Sequence, residues 1–286
     1  MSGAKPLDDI SIVEVDSWMA APSAGAILAD LGADVLKVEP LTGDPMRGTS
    51  RPGKVDGPLR GYDFGFDVDN RGKRSLAVDL GQDEGTAIVR RLCASADVFL
   101  CNLLPKRQQR FGLDAGTLHA IQPRLVHATL TGYGTEGPQA WRPGYDVTAF
   151  FGRSGLYDSM RETDDGLVIQ ARPAQGDHAT GLALVGAILA ALRLAERTGE
   201  GQVVETSLFE TAAWTLATDL SATAVDRAPV SHRSRHRMIT PTANRYPCGD
   251  DKWVVFNMPE QDAFDRFAAA VGLDHLLDDE RFATFK

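Results

Sequence analysis

The chain has 286 residues, 43% of them hydrophobic, and 30 Lys and Arg stand against 39 Asp and Glu for a formal net charge of -9. That length and apolar content supply a core for one large domain and part of another, and the acidic balance argues against a nucleic-acid partner. Three cysteines, Cys93, Cys101 and Cys248, form no CxxC pair and no zinc-site spacing with histidine, so we expect no metal and a reducing, cytoplasmic setting.

Residues 1–15 lack the apolar run of a signal peptide, and the apolar stretch 181–192 is too short to span a bilayer, so no membrane partner is expected. In chain order, residues 11–16 predict a strand, 23–32 a helix ended by glycine, and 34–39 a second strand. A second unit follows with strand 74–80, helix 83–96 and strand 97–102, and a third with helix 113–123 and strand 124–134. This alternation predicts an α/β fold with a doubly wound parallel sheet covered on both faces. The Gly-, Pro- and Arg-rich segment 41–66 predicts a long functional loop. Farther along come a helix from His178 to about Glu196, a strand at 201–207 and a helix at 208–225. Residues 1–225 are then a large domain, the polar and basic segment 226–242 a linker, and 243–286, with strand 252–258 and helix 260–273, the start of a small domain.

The run Gly132 to Gly137 matches GxGxxG, but Pro138 follows and no helix is predicted there, so a plain loop is the better reading. Asp177 precedes a long run of small and aliphatic residues, where a helix N-cap belongs and contributes about 1 kcal/mol. The same carboxylate is flanked by Gly176 and Gly181, which would leave room for a bulky ligand. A helix N-terminus favours negative charge by about 0.3–1 kcal/mol, which would keep Asp177 ionised and able to act as nucleophile or base. On spacing alone the cap is the simpler reading. Arg142, Tyr145 and Asp146 add a cation, a phenol and a second carboxylate after a glycine-rich turn, a pattern that a satisfied turn also explains. Basic groups in 70–75 and 105–110 stand at or beside predicted strand ends, where phosphates bind in doubly wound sheets.

Seven segments, 17–40, 70–80, 110–114, 127–138, 142–146, 176–181 and 197–210, occur in the order in which similar blocks occur in class III coenzyme A transferases. The chain resembles that family, which includes formyl-CoA transferase, carnitine CoA-transferase and alpha-methylacyl-CoA racemase. The resemblance implies a Rossmann-like large domain, a small domain and a homodimer of interlocked subunits. It implies coenzyme A or acyl-CoA as substrate, with a carboxylic acid acceptor. Asp177 matches the aspartate that carries acyl and CoA adducts, which turns the reading of that residue toward catalysis. Met19, Ala20, Val78, Asn102, Leu103, Arg110, Arg142, Tyr145 and Asp146 match positions around bound CoA. The chain departs from the family pattern at Met19, Pro40, Gly81 and Leu104 to Lys106, each change removing a possible contact to the CoA head group. It also stops where family members continue through the small domain. Racemases of the family carry histidine where Tyr145 stands, and a tyrosine, with a reference pKa of about 10, is a poor base near neutral pH. Transfer of CoA is therefore expected over α-proton abstraction, and an inactive CoA-binding homologue is the third reading.

Overall fold

The computed structural model describes residues 4–49, 63–238, 241–258 and 260–283. Residues 50–62 of the expected loop, and 239 and 240 of the expected linker, lie outside that set. The chain forms two compact units, Met1–Leu156 with Gln170–Val225, and Tyr157–Ile169 with Asp226–Lys286.

In the first unit, the expected short strands become β1 (Ser11–Val15), β2 (Asp34–Glu39), β3 (Arg74–Ala77), β4 (Val98–Cys101), β5 (Val126–Thr131) and β6 (Val203–Ser207). They pair in the order β3-β2-β1-β4-β5-β6, every pair parallel. Every residue of β4 and β5 is buried, as a sheet covered on both faces requires. Alternation along the strands separates two cores. Val13, Val15, Phe99 and Cys101 pack with Val89 and Cys93 of α3 (Asp83–Cys93), Phe111 of α4 (Pro105–Phe111) and Leu118 of α5 (Ala115–Ile121). Elsewhere, α1 (Ala20–Asp30) contacts β1, β4 and β5, and α7 (Gln175–Thr198) contacts β5 and β6. The short helix α2 (Phe64–Asn70) lies between β2 and β3, and α6 (Leu156–Ser159) begins at the last residue of this unit's first segment and continues into the second unit.

Helix α7 begins three residues before the expected start and has 24 residues, a length and composition sufficient to cross a bilayer, so the short-stretch argument from 181–192 does not hold. Its packing along α1 accounts for its small and apolar residues. At the closest approach, a Cβ on Gly181 would stand 2.0 Å from Ser23 Oγ and 2.7 Å from the Ala20 carbonyl oxygen. Glycine there sets the distance between the helices and holds the first turns of α1 and α7 side by side. The expected helix 208–225 breaks at Leu216 into α8 (Leu208–Thr215) and α9 (Ala217–Asp226). Thr215 Oγ1 donates to the Ala212 carbonyl at 2.7 Å, the kind of side-chain bond that competes with the helical ladder. The GxGxxG run is a loop, with Gly134 and Gly137 at φ 91° and 84°, and it leads to a π-helix, Asp146–Arg153.

In the second unit, β7 (Arg245–Pro247) and β8 (Trp253–Val255) pair antiparallel beside α10 (Gln261–Ala270). Phe256 packs tilted against Tyr246 and edge-on against Phe267, at ring distances of 5.8 and 5.2 Å. Glu162 accepts from Ser234 Oγ at 3.1 Å and from the Arg235 N–H at 2.7 Å, tying residues 157–169 into this unit.

Gly181→Ala should cost about 1–3 kcal/mol in urea unfolding through overpacking against α1. Gly186→Ala, on the same helix with nothing within 4 Å of the added Cβ, should be neutral or stabilising by up to about 1 kcal/mol. Equal effects at both positions would remove Gly181 as the spacer.

Candidate active site

A cavity of about 940 Å³ opens at the carboxyl ends of the strands, lined by Asp16 after β1, Glu39 at the end of β2, Val78 after β3, Asn102 and Leu103 after β4, and Thr131 at the end of β5. Strand order reverses between β1 and β4, and the crevice at such a reversal is where open α/β sheets bind ligands. Met19, Ala20, Val78, Asn102, Leu103, Arg110, Tyr145, Asp146 and Asp177 all line this cavity. Arg142 is not among its lining residues; its guanidinium lies 5.6 Å from the centre of the Tyr133 ring.

Asp177 is not the cap of α7. Ala174 holds the N-cap position with a left-handed φ of 72°, and Asp177 is the third helical residue, half-buried at the cavity wall. The π-helix places Asp146 against this turn, where its Oδ1 accepts the Gly176 N–H at 3.1 Å. A Cβ on Gly176 would come within 2.3 Å of both that oxygen and Phe150 Cγ. The glycines beside Asp177 therefore make room for protein, Asp146 and Phe150 at Gly176 and α1 at Gly181, rather than for a ligand.

The expectation that the helix terminus keeps Asp177 acidic is also corrected. Burial, and then the neighbouring Asp146 carboxylate, raise its pKa to about 7, with His178 opposing and Asp69 adding to the rise. The terminus effect is worth less than one pKa unit, and desolvation with a like charge nearby outweighs it. Asp146 is itself raised by burial, against the pull of its backbone hydrogen bonds. His178 Nε2 lies 2.9 Å from Asp69 Oδ1, and that bond raises the imidazole pKa one residue beyond Asp177.

Beneath the cavity floor, Lys37 Nζ meets Asp16 Oδ1 at 2.7 Å, Glu14 Oε1 at 3.1 Å and Asp44 Oδ2 at 3.1 Å. Lys73 Nζ adds a 2.7 Å contact to Glu14. Burial and the adjoining Glu14 push the Asp16 carboxyl well up. Cations along the lining come from α4, Arg107 and Arg110, both exposed. Pro105 at the first turn and left-handed Gly112 at the end, φ 60°, delimit this helix. Arg107 escaped the sequence reading although it lies one turn from Arg110 in the same basic segment. His178 and Asp69 escaped it because 109 residues separate them, and Trp18, also on the cavity lining, because no local pattern marks its left-handed backbone.

The raised Asp177 pKa has a signed consequence for stability. A carboxyl that binds its proton more tightly when folded makes the folded state lose stability as pH rises from about 4, the unfolded value, through about 7. Asp177→Asn should therefore stabilise the protein at pH 8 relative to wild type and do so much less at pH 4, as read from unfolding midpoints. A stabilisation equal at both pH values would contradict the raised pKa.

The profile of CoA-transferase family III matches residues 7–286. A cinnamoyl-CoA:phenyllactate CoA-transferase of Clostridium sporogenes is 34% identical over 275 residues, covering 96% of this chain and 66% of the relative. A succinate–glutarate CoA-transferase of Agrobacterium fabrum is 36% identical over 285 residues, 98% of this chain and 70% of the relative. The crystal structure of a CAIB/BAIF family protein from Brucella suis superposes with a TM-score of 0.84 at 34% identity, covering 99% of this chain and 74% of that one. The chain thus spans about two thirds of the length of these curated relatives. A profile match over residues 7–286, together with relatives at 34–36% identity, shows that the chain belongs to CoA-transferase family III.

Proposed function

We propose that this chain moves CoA between carboxylic acids through covalent intermediates on Asp177. The observation that carries the reading is a carboxyl group with a pKa of about 7 on the wall of a cavity at the carboxyl edge of the sheet, in a chain of this family. Such a group is more basic than an ordinary carboxylate, hence a closer match for a thiolate leaving group. An Asp177 oxygen attacks the thioester carbonyl, the C–S bond breaks, and CoA leaves as thiolate with a mixed anhydride on Asp177. The thiolate then attacks the Asp177 carbonyl carbon, expelling the first acid as carboxylate and leaving an aspartyl-CoA thioester. The acceptor carboxylate attacks that thioester, forming a new anhydride and freeing the thiolate, which takes the acceptor acyl group and restores Asp177.

The binding roles follow from position. Arg107 and Arg110 would pair with CoA phosphates, while Met19, Ala20, Val78, Asn102 and Leu103 would form the walls around the nucleotide and pantetheine arm. Tyr145 and Asp146 would lie beside the acyl group. The relatives are named for aromatic and dicarboxylic acids, which supports carboxylic acids as the acceptor class. The sheet order supports a Rossmann-like reading. Exposed Trp214, Leu220 and Val225 on α8 and α9 support an interlocked homodimer that covers them. Three free thiols fit a cytoplasmic setting.

Turnover separates this reading from a racemase. With cinnamoyl-CoA and phenyllactate, or succinyl-CoA and glutarate, Asp177→Asn should lower transfer by on the order of ten-thousandfold or more. Wild-type enzyme given a 2-methylacyl-CoA in heavy water should incorporate little deuterium at the α-carbon. Rapid incorporation without CoA transfer would establish proton abstraction instead.

A further inference from the structure

Among the described residues, four that are not glycine have positive φ, and two of them, Trp18 and Ala174, line the cavity. Ala174 starts the helix that carries Asp177. Trp18 is the more unusual, since a bulky side chain disfavours a φ of 70°. Such a conformation persists only where the surroundings over-determine it, and here they do. Asn102 Nδ2 donates to the Ser17 carbonyl at 2.7 Å, and the Ser17 N–H donates to Asn102 Oδ1 at 3.3 Å. The Trp18 N–H donates to Asp44 Oδ1 at 3.3 Å. Asp44 in turn is held by buried Lys37.

The strained turn presents the indole to the cavity, edge-on to Tyr145 at 6.1 Å between ring centres and 88° between planes. The residue after Tyr145 is Asp146, which binds the backbone of Gly176 beside Asp177. Both rings keep large exposed surfaces, Trp18 42% and Tyr145 54%, where contact with a ligand can cover them. An anhydride or thioester on Asp177 has a competing fate, because water can attack it in place of the thiolate or the acceptor. Water at the anhydride yields the free acid and regenerated Asp177; water at the aspartyl-CoA thioester yields CoA thiol and Asp177. Either route ends as acyl-CoA plus water giving acid plus CoA thiol.

Building on the aspartyl reading above, we propose that Trp18 and Tyr145 form an aromatic wall that closes on the acyl chain and excludes water from the Asp177 adduct, directing it to transfer rather than hydrolysis. The backbone strain at Trp18 fixes the ring at this station. The wall suits acyl groups with an aromatic or other apolar body, which can lie against both rings.

The test compares free CoA thiol released with acceptor acyl-CoA formed, using cinnamoyl-CoA with phenyllactate and succinyl-CoA with glutarate. Trp18→Gly suits the left-handed backbone, so it removes the ring without new strain. The ratio of hydrolysis to transfer should rise about tenfold or more, equivalent to about 1.4 kcal/mol of relative barrier. Tyr145→Ala should shift the ratio in the same direction, and Trp18→Phe should stay near wild type. If Trp18→Gly does not fold, Tyr145→Ala decides. A ratio within about twofold of wild type in the folded ring-deleted variants, with transfer intact, overturns the wall alone. Loss of both reactions in a folded variant also overturns it. Absence of transfer and of any hydroxylamine-sensitive adduct in wild type overturns the aspartyl reading and the wall with it.

Discussion

The Asp146 carboxylate seated on the Gly176 N–H is the contact on which the cavity depends. It joins the π-helix to the first turn of α7, sets one carboxyl beside another, and brings Tyr145 round to Trp18. Its geometry requires glycine at 176, because the added methyl of any other residue would overlap Asp146 and Phe150. It also requires α7 to start where it does, and the close packing of Gly181 on α1 fixes that. Sheet topology, helix spacing and site chemistry are thus linked through two glycines and one carboxylate.

Opposing electrostatic effects meet at this point. A helix N-terminus and the neighbouring His178 favour ionised Asp177, while burial and Asp146 disfavour it more strongly, leaving a group that titrates near neutrality. Beneath the cavity floor the molecule solves the same problem differently. Glu14, buried even more deeply, is held below its ordinary pKa despite burial, because Lys73 and Lys37 reach it directly. Glu14 has two lysines within ion-pair distance, whereas Asp177 faces the cavity with a carboxylate as neighbour.

Strand runs such as 97–102 and 124–134 are apolar and β-branched enough to declare a parallel sheet, and the carboxyl-end cavity follows from that arrangement. On spacing alone Asp177 reads as a helix cap and 142–146 as a satisfied turn, and only the resemblance to the family turns both toward the site. What local pattern could not supply was long-range or conformational. The pairing of His178 with Asp69, the left-handed turns at Trp18 and Ala174, and the glycines that serve protein packing depend on contacts formed only after folding. The pKa of Asp177 belongs to the same class, because desolvation and the approach of Asp146 have no counterpart in the linear chain.

The most direct test of the account is chemical trapping of the nucleophile. Wild-type protein is mixed with cinnamoyl-CoA or succinyl-CoA without acceptor, quenched with hydroxylamine, digested and read by peptide mass spectrometry. The account predicts a hydroxamate on Asp177, formed only in the presence of the acyl-CoA. Efficient CoA transfer with Asp177 unmodified, or with the label on another residue, would contradict it.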